Sequence, residues 1–134
     1  MIVVDTNVVA YLLIPGERTV QARAALLRDS QWAAPLLWRS EFRNVLALYM
    51  RRNQLAIEDA LALAEQAERV FDGREHLVES RDVLRLCSTS GCSGYDCEFA
   101  VLAIRLSVPL VTTDAELLER FPSASISLDA FVQG

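Results

Sequence analysis

Apolar runs of strand length recur along this chain, and a stretch of helix length separates each from the next. Ile2-Val3-Val4-Asp5, Trp32-Ala33-Ala34, His76-Leu77-Val78, Leu110-Val111-Thr112 and residues 124–127 read as strands. Helices fit residues 7–14, 18–28, 35 to about 52, 57–71, 82–88, 95–106 and 115–120. Asn7 is a candidate cap for the first, and Pro15-Gly16 ends it. Pro35 fits the first turn of the third. Leu61, Leu63, Ala64 and Ala67 lie on or near one stripe of the fourth, which Asp72-Gly73 terminates. Residues 90–94 read as a loop. Strands separated by helices imply a parallel sheet covered on both faces, so the expected fold is a single α/β domain with a central sheet of four to five strands. With 134 residues the chain is most simply one domain over 1–134.

Four acidic residues sit where such an apolar scaffold least needs them. Asp5 ends an otherwise apolar strand, and Asp114 directly follows Leu110-Val111-Thr112-Thr113. On a helical wheel Glu41 falls between Trp38, Val45 and Leu48, and Asp96 shares a face with Phe99, Ala100 and Ala103. Ligand sites in open α/β sheets lie beyond the carboxyl ends of strands, which makes Asp5 and Asp114 candidate neighbours. Burying an unpaired carboxylate costs several kcal/mol or forces its protonation. Converging carboxylates therefore imply a cation among them, with Mg2+ or Mn2+ the natural candidate.

Each acid also has a purely structural reading. Asp5 could open a turn with Asn7, and Glu41 could snorkel from the edge of its stripe or pair with Arg52. Ser93-Gly94-Tyr95-Asp96 fits a capping box, and Asp114 stands where a helix cap is common. What favours a site is their joint occurrence at strand ends and on inward helix faces.

Other chemistries find less support. His76 is the only histidine and has no partner of catalytic type nearby, and the nucleotide-binding glycine motifs are absent. Cys87, Cys92 and Cys97 make an odd count without C-x-x-C spacing and read as buried hydrophobes or free thiols. The apolar runs are too short to span a membrane, and Asp5 interrupts the first before it could serve as a signal peptide, so a soluble, cytoplasmic protein is expected. A net charge of −5 argues weakly against a nucleic-acid partner, because four of the 18 acids would be offset by metal. All 13 basic residues are arginine. Arg39, Arg43, Arg51 and Arg52 on the Glu41 helix, with Arg74, Arg81 and Arg85, form either a solvated face or a phosphate-binding rim.

The blocks Val3-Val4-Asp5-Thr6-Asn7, Ser40-Glu41, Ser93-Gly94-Tyr95-Asp96 with Phe99-Ala100-Val101-Leu102-Ala103, and Leu110-Val111-Thr112-Thr113-Asp114 occur in this order. In this the chain resembles the PIN-domain family, and within it the VapC-type toxins of toxin–antitoxin pairs. The resemblance spans residue 1 to about 121 and implies a Mg2+- or Mn2+-dependent endoribonuclease that leaves 5'-phosphate and 3'-hydroxyl ends. It assigns Asp5, Glu41, Asp96 and Asp114 as the acidic quartet, with Thr6 and Thr112 as supporting hydroxyls. Asp5 and Asp96 would ligate metal directly, and Glu41 and Asp114 through water or a second ion. It further implies a transfer or ribosomal RNA substrate, a small antitoxin that blocks the site by inserting an arginine among the carboxylates, and a homodimer. A receiver-like or phosphatase-like domain fits less well, since both use a lysine and this chain has none. A non-catalytic, metal-stapled binding module is the remaining alternative.

Overall fold

The computed structural model describes residues 1–134. Its strands are β1 (Ile2–Val4), β2 (Trp32–Pro35), β3 (Glu75–His76), β4 (Leu110–Thr112) and β5 (Ser125–Ser127), which form one sheet in the order β3-β2-β1-β4-β5. Every neighbouring pair is parallel. The helices are α1 (Thr6–Leu13), α2 (Thr19–Arg28), α3 (Leu37–Arg51), α4 (Ile57–Val70), α5 (Ser80–Ser90), α6 (Gly94–Leu106), α7 (Ala115–Arg120) and α8 (Leu128–Gln133). Ile2, Val3 and Val4 are all buried, as are the residues of β2 and β4. Because successive strand residues point to opposite faces, burial of both parities means helices cover the centre of the sheet on both sides.

The strand order carries the functional information. From β1 the chain builds outward through β2 and β3, then returns to lay β4 on the other side of β1. The boundary between β1 and β4 is thus the topological switch point, where the flanking connections diverge and leave a crevice at the strands' carboxyl ends. Register fixes what stands there: Val4 pairs with Val111, and the Asp5 N–H donates to the Val111 carbonyl at 3.3 Å. Helix α6 packs across β1, β2 and β4 through a face that buries Phe99, Ala100, Leu102 and Ala103. At the base of α3, Trp38 meets Phe71 with ring centroids 4.6 Å apart, and its Nε1 donates to Glu75 Oε1. That wedge fixes the helix carrying Glu41.

Several local expectations are corrected. Asp5, not Asn7, caps α1: its Oδ1 accepts the Val8 N–H at 3.2 Å, which places Thr6 inside the first turn. Pro35 closes β2 rather than opening α3, and pairing continues past it through the Leu36 N–H to the His76 carbonyl. The third strand is shifted to Glu75–His76, and Leu77 is 83% exposed. On α4 the buried side is marked by Ala60 and Ala67, while Leu61 faces outward. The last helix, α8, was not expected; the Ser127 hydroxyl caps it by accepting the Ala130 N–H. No helix is long and apolar enough to cross a membrane.

Candidate active site

A cleft of about 250 Å3 opens at the β1/β4 switch point, and Asp5, Glu41, Asp96 and Asp114 all line it. Four elements deliver them: the end of β1, the middle of α3, the first turn of α6 and the cap of α7. No arginine lines the cleft, and none of the four acids takes part in an ion pair. The proposed pairing of Glu41 with Arg52 is not formed.

The hydroxyls that flank the acids position them. Thr112, fully buried on β4, donates its hydroxyl to Asp5 Oδ2 and accepts the Asp114 N–H at 3.0 Å. One side chain thus ties together two acids on neighbouring strands. Thr6 donates to Glu41 Oε1 at 2.7 Å, reaching from α1 to α3. These bonds still leave room for a ligand, since an ionised carboxylate offers about four lone-pair sites. Glu41 Oε2 has no hydrogen-bond partner, and Asp114 uses only Oδ1, which accepts the Leu117 N–H at 3.1 Å.

The structural readings of Asp5 and Asp114 prove compatible with a site, because each carboxylate caps a helix with one oxygen and faces the cleft. Asp96 is a different case. The Ser93 hydroxyl caps α6 by accepting the Asp96 N–H at 3.1 Å, but the reciprocal bond of a full capping box is not made. The Asp96 carboxylate is therefore not consumed in holding its own helix.

Charge accumulates here without compensation. Burial raises the Asp5 carboxyl from 3.8 to about 6 against the lowering effect of the Thr112 and Val8 hydrogen bonds, and the charges of Asp114 and Glu41 add to the rise. Burial also raises Glu41, opposed by the Thr6 hydroxyl and reinforced by Asp96. Asp96 is raised by burial and by the charges of Asp114 and Glu116. Mutual repulsion links the group.

Such a cluster is suited to a hard divalent cation. No three carboxylates, as their side chains stand, converge closely enough to clasp one bare ion. Mg2+ does not require that arrangement, since it keeps several waters and is commonly held by one or two carboxylates together with a substrate phosphate. The oxygen-only donors and the missing counter-charge fit such an ion.

Two polar residues of the cleft escaped sequence reasoning, Asn7 and Asn44. Asn7 is freed once Asp5 takes the capping role, and Asn44 lies three residues beyond Glu41 on α3, a spacing that puts both on one side of a helix. Glu98 and Glu116 flank the cluster electrostatically: the Glu41 charge adds to the burial that raises Glu98, and Glu116 acts on Asp96. His76 lies on β3, away from the cleft. Of the arginines proposed as a rim, Arg39 is committed to Glu68 and Glu75, and Arg74 donates to the backbone carbonyls of Trp32 and Val70. Cys92 and Cys97 are buried free thiols, and burial pushes Cys97 up to about 11.

The chain is 28% identical over 125 residues to Ribonuclease VapC3 of Pyrobaculum aerophilum, an alignment covering 91% of this chain and 95% of that protein. A crystal structure of a Pyrobaculum aerophilum protein superposes with a TM-score of 0.79 at 20% identity, covering 98% of this chain and 86% of the other. A toxin–antitoxin complex from Klebsiella pneumoniae matches with a TM-score of 0.61 at 16% identity, covering 96% and 98% respectively. These two likenesses concern the fold. The PIN-domain family model matches residues 2–122, which include all four cleft acids, and the chain belongs to the PIN-domain family.

Proposed function

We propose that this protein is a Mg2+- or Mn2+-dependent endoribonuclease and the toxin of a toxin–antitoxin pair. The observation that carries the nuclease reading is the gathering of four carboxylates, from four separate elements, in one cleft with no cationic side chain to neutralise them. The likeness to Ribonuclease VapC3 supports RNA as the substrate, and the likeness to a toxin–antitoxin complex supports a small protein partner.

In this reading Asp5 and Asp96 hold the ion, with Asp114 and Glu41 completing the acidic wall. A bound divalent cation would supply a more acidic water and positive charge against the phosphate under attack. The chain's own residues do the rest. Thr112 and the Val8 N–H hold Asp5 in one orientation, so its ligating oxygens need no reorganisation when the substrate arrives. Thr6 fixes Glu41 through Oε1 and leaves Oε2 to accept a proton from the attacking water, a role favoured by its raised affinity for protons. Attack at phosphorus with the 3' oxygen leaving gives a 5'-phosphate and a 3'-hydroxyl. No 2'-hydroxyl takes part, so preference for RNA rests on binding.

Purified protein with Mg2+ or Mn2+ is expected to cut transfer or ribosomal RNA, EDTA to abolish cutting, and Asp96→Asn to reduce it by at least about a hundredfold with the fold intact. Cleavage that persists in EDTA, or an Asp96→Asn protein as active as its parent, overturns the reading. The toxin assignment is tested by induction: growth arrest that a small protein encoded beside this gene relieves supports it, and growth unaffected by the active enzyme contradicts it.

A further inference from the structure

A second groove, of about 350 Å3, adjoins the acidic cleft, and Asn7 and Val45 line both. It runs along α1 past the start of α2 and the C-terminal part of α3, and its distinctive side chains are Tyr11, Arg18 and Tyr49. The Arg18 guanidinium lies over the Tyr11 ring, 5.5 Å from its centroid, and takes part in no ion pair. At its other end the Tyr11 hydroxyl is 3.2 Å from the Thr113 hydroxyl, next in sequence to Asp114. One tyrosine therefore spans from a free cation to the edge of the carboxylate cluster. The arginines expected to bind phosphate from α3 and from around β3 include two with other commitments, Arg39 and Arg74. Arg18 has none.

We infer that this groove binds the unpaired nucleotide adjoining the phosphodiester that is cut, with Arg18, held over the Tyr11 ring, against its phosphate and Tyr49 against its base. This rests on the ribonuclease reading above. A chain cut in the acidic cleft must continue into whatever adjoins it, and a positive charge beside half-buried aromatic faces is what a single strand of RNA finds favourable. A cleft with four acids and no cation offers a polyanion little on its own. Arg18 supplies attraction beside the cleft without lining it or neutralising the acids themselves. Stacking is tolerant of base identity, so the groove selects single-stranded RNA rather than a sequence.

Binding is measured in the Asp96→Asn background, in Mg2+, by anisotropy of a fluorescein-labelled single-stranded RNA of about twelve nucleotides, with cleavage followed separately in the wild-type background. Tyr49→Ala is expected to weaken binding about tenfold, and Arg18→Ala to weaken it several-fold while reducing the slope of log affinity against log salt by about 0.7. Glu17→Gln removes the groove's only acidic lining residue and is expected to tighten binding. Arg69→Ala, exposed on α4 and lining neither cleft, serves as the control. Thermal melts and Tyr49→Phe separate lost binding from lost folding: the phenylalanine variant is expected to keep most of the affinity. If Arg18→Ala and Tyr49→Ala bind and cut like their parents, with the salt slope unchanged, the groove assignment falls and the ribonuclease reading stands. Variants that bind RNA normally but lose a protein partner would likewise overturn it in favour of a protein-docking role. A wild-type protein that neither binds nor cuts RNA would remove the ribonuclease reading and the groove assignment together.

Discussion

Replacing Asp5 with asparagine should stabilise the metal-free protein at neutral pH, the opposite of what deleting a helix cap ordinarily does. Asparagine keeps the shape and the cap, since its Oδ1 can accept the Val8 N–H; its Nδ2 can donate to the Thr112 hydroxyl oxygen, which reverses that bond and leaves the buried Thr112 hydroxyl hydrogen without its acceptor. What disappears is a buried charge. Asp5 is 7% exposed and titrates near 6 in the folded chain rather than 3.8, so ionising it costs the fold about 3 kcal/mol. Because the folded-state value is raised, that stability is fully present below 3.8, where both states are protonated, and is lost as pH rises through about 6. At pH 8 in EDTA, Asp5→Asn should therefore melt above the wild type, by at most about 10 °C given an unfolding entropy of about 2 cal/mol/K per residue, and by less to the extent that the Thr112 hydroxyl loses its acceptor. The gap should close near pH 4. Mg2+ should narrow the gap by stabilising the wild type and not the variant. Scanning calorimetry in EDTA at both pH values, then in Mg2+, reads all three. A variant less stable than wild type at pH 8 in EDTA would show that the carboxylate is a structural staple, and would remove the physical ground for placing a cation there.

Thr112→Val removes the donor to Asp5 and the acceptor of the Asp114 N–H at once, and is expected to cost about 2 kcal/mol in urea denaturation and to raise the Asp5 titration point further by carboxyl NMR. Glu41→Gln retains an oxygen for the Thr6 hydroxyl, so its melting point in EDTA should equal or exceed the wild type's while RNA cleavage falls at least about a hundredfold; full activity would exclude Glu41 from the chemistry. Trp38→Ala opens a cavity against Phe42 and Phe71 and is expected to cost about 3–5 kcal/mol in chemical denaturation.

The centre of the fold was legible because its three central strands are the segments that burial leaves no freedom to vary. In β1, β2 and β4 both faces are covered, so the residues are apolar at every position except Thr112, whose hydroxyl is taken up at the site. The edges were less legible for the same reason in reverse. Ser125–Ser127 is only half-buried, and Glu75–His76 joins the sheet through backbone pairing of Ala34 with Glu75 and Pro35 with His76, which no apolar pattern marks. A helical wheel gave α4 an apolar stripe but not the direction of the core, which turned out to favour Ala60 over Leu61. Helix α8 was signalled by Ser127 and by Asp129 in its first turn, but it is only six residues long. At the site, Asp5 and Asp114 could be placed together from topology alone. The reach of Thr6 to Glu41, and the bond of Thr112 to Asp5, are contacts between residues 35 and 107 positions apart that only the folded register defines.

Crystals soaked in Mn2+ and measured at the manganese edge test the central claim most directly, because the ion reports its own position. An anomalous peak in the cleft at the carboxyl ends of β1 and β4, within about 2–2.3 Å of carboxylate oxygens of Asp5 and Asp96, is the predicted result. An active ribonuclease whose cleft stays empty at saturating Mn2+, or whose only peak lies away from these carboxylates, would contradict it.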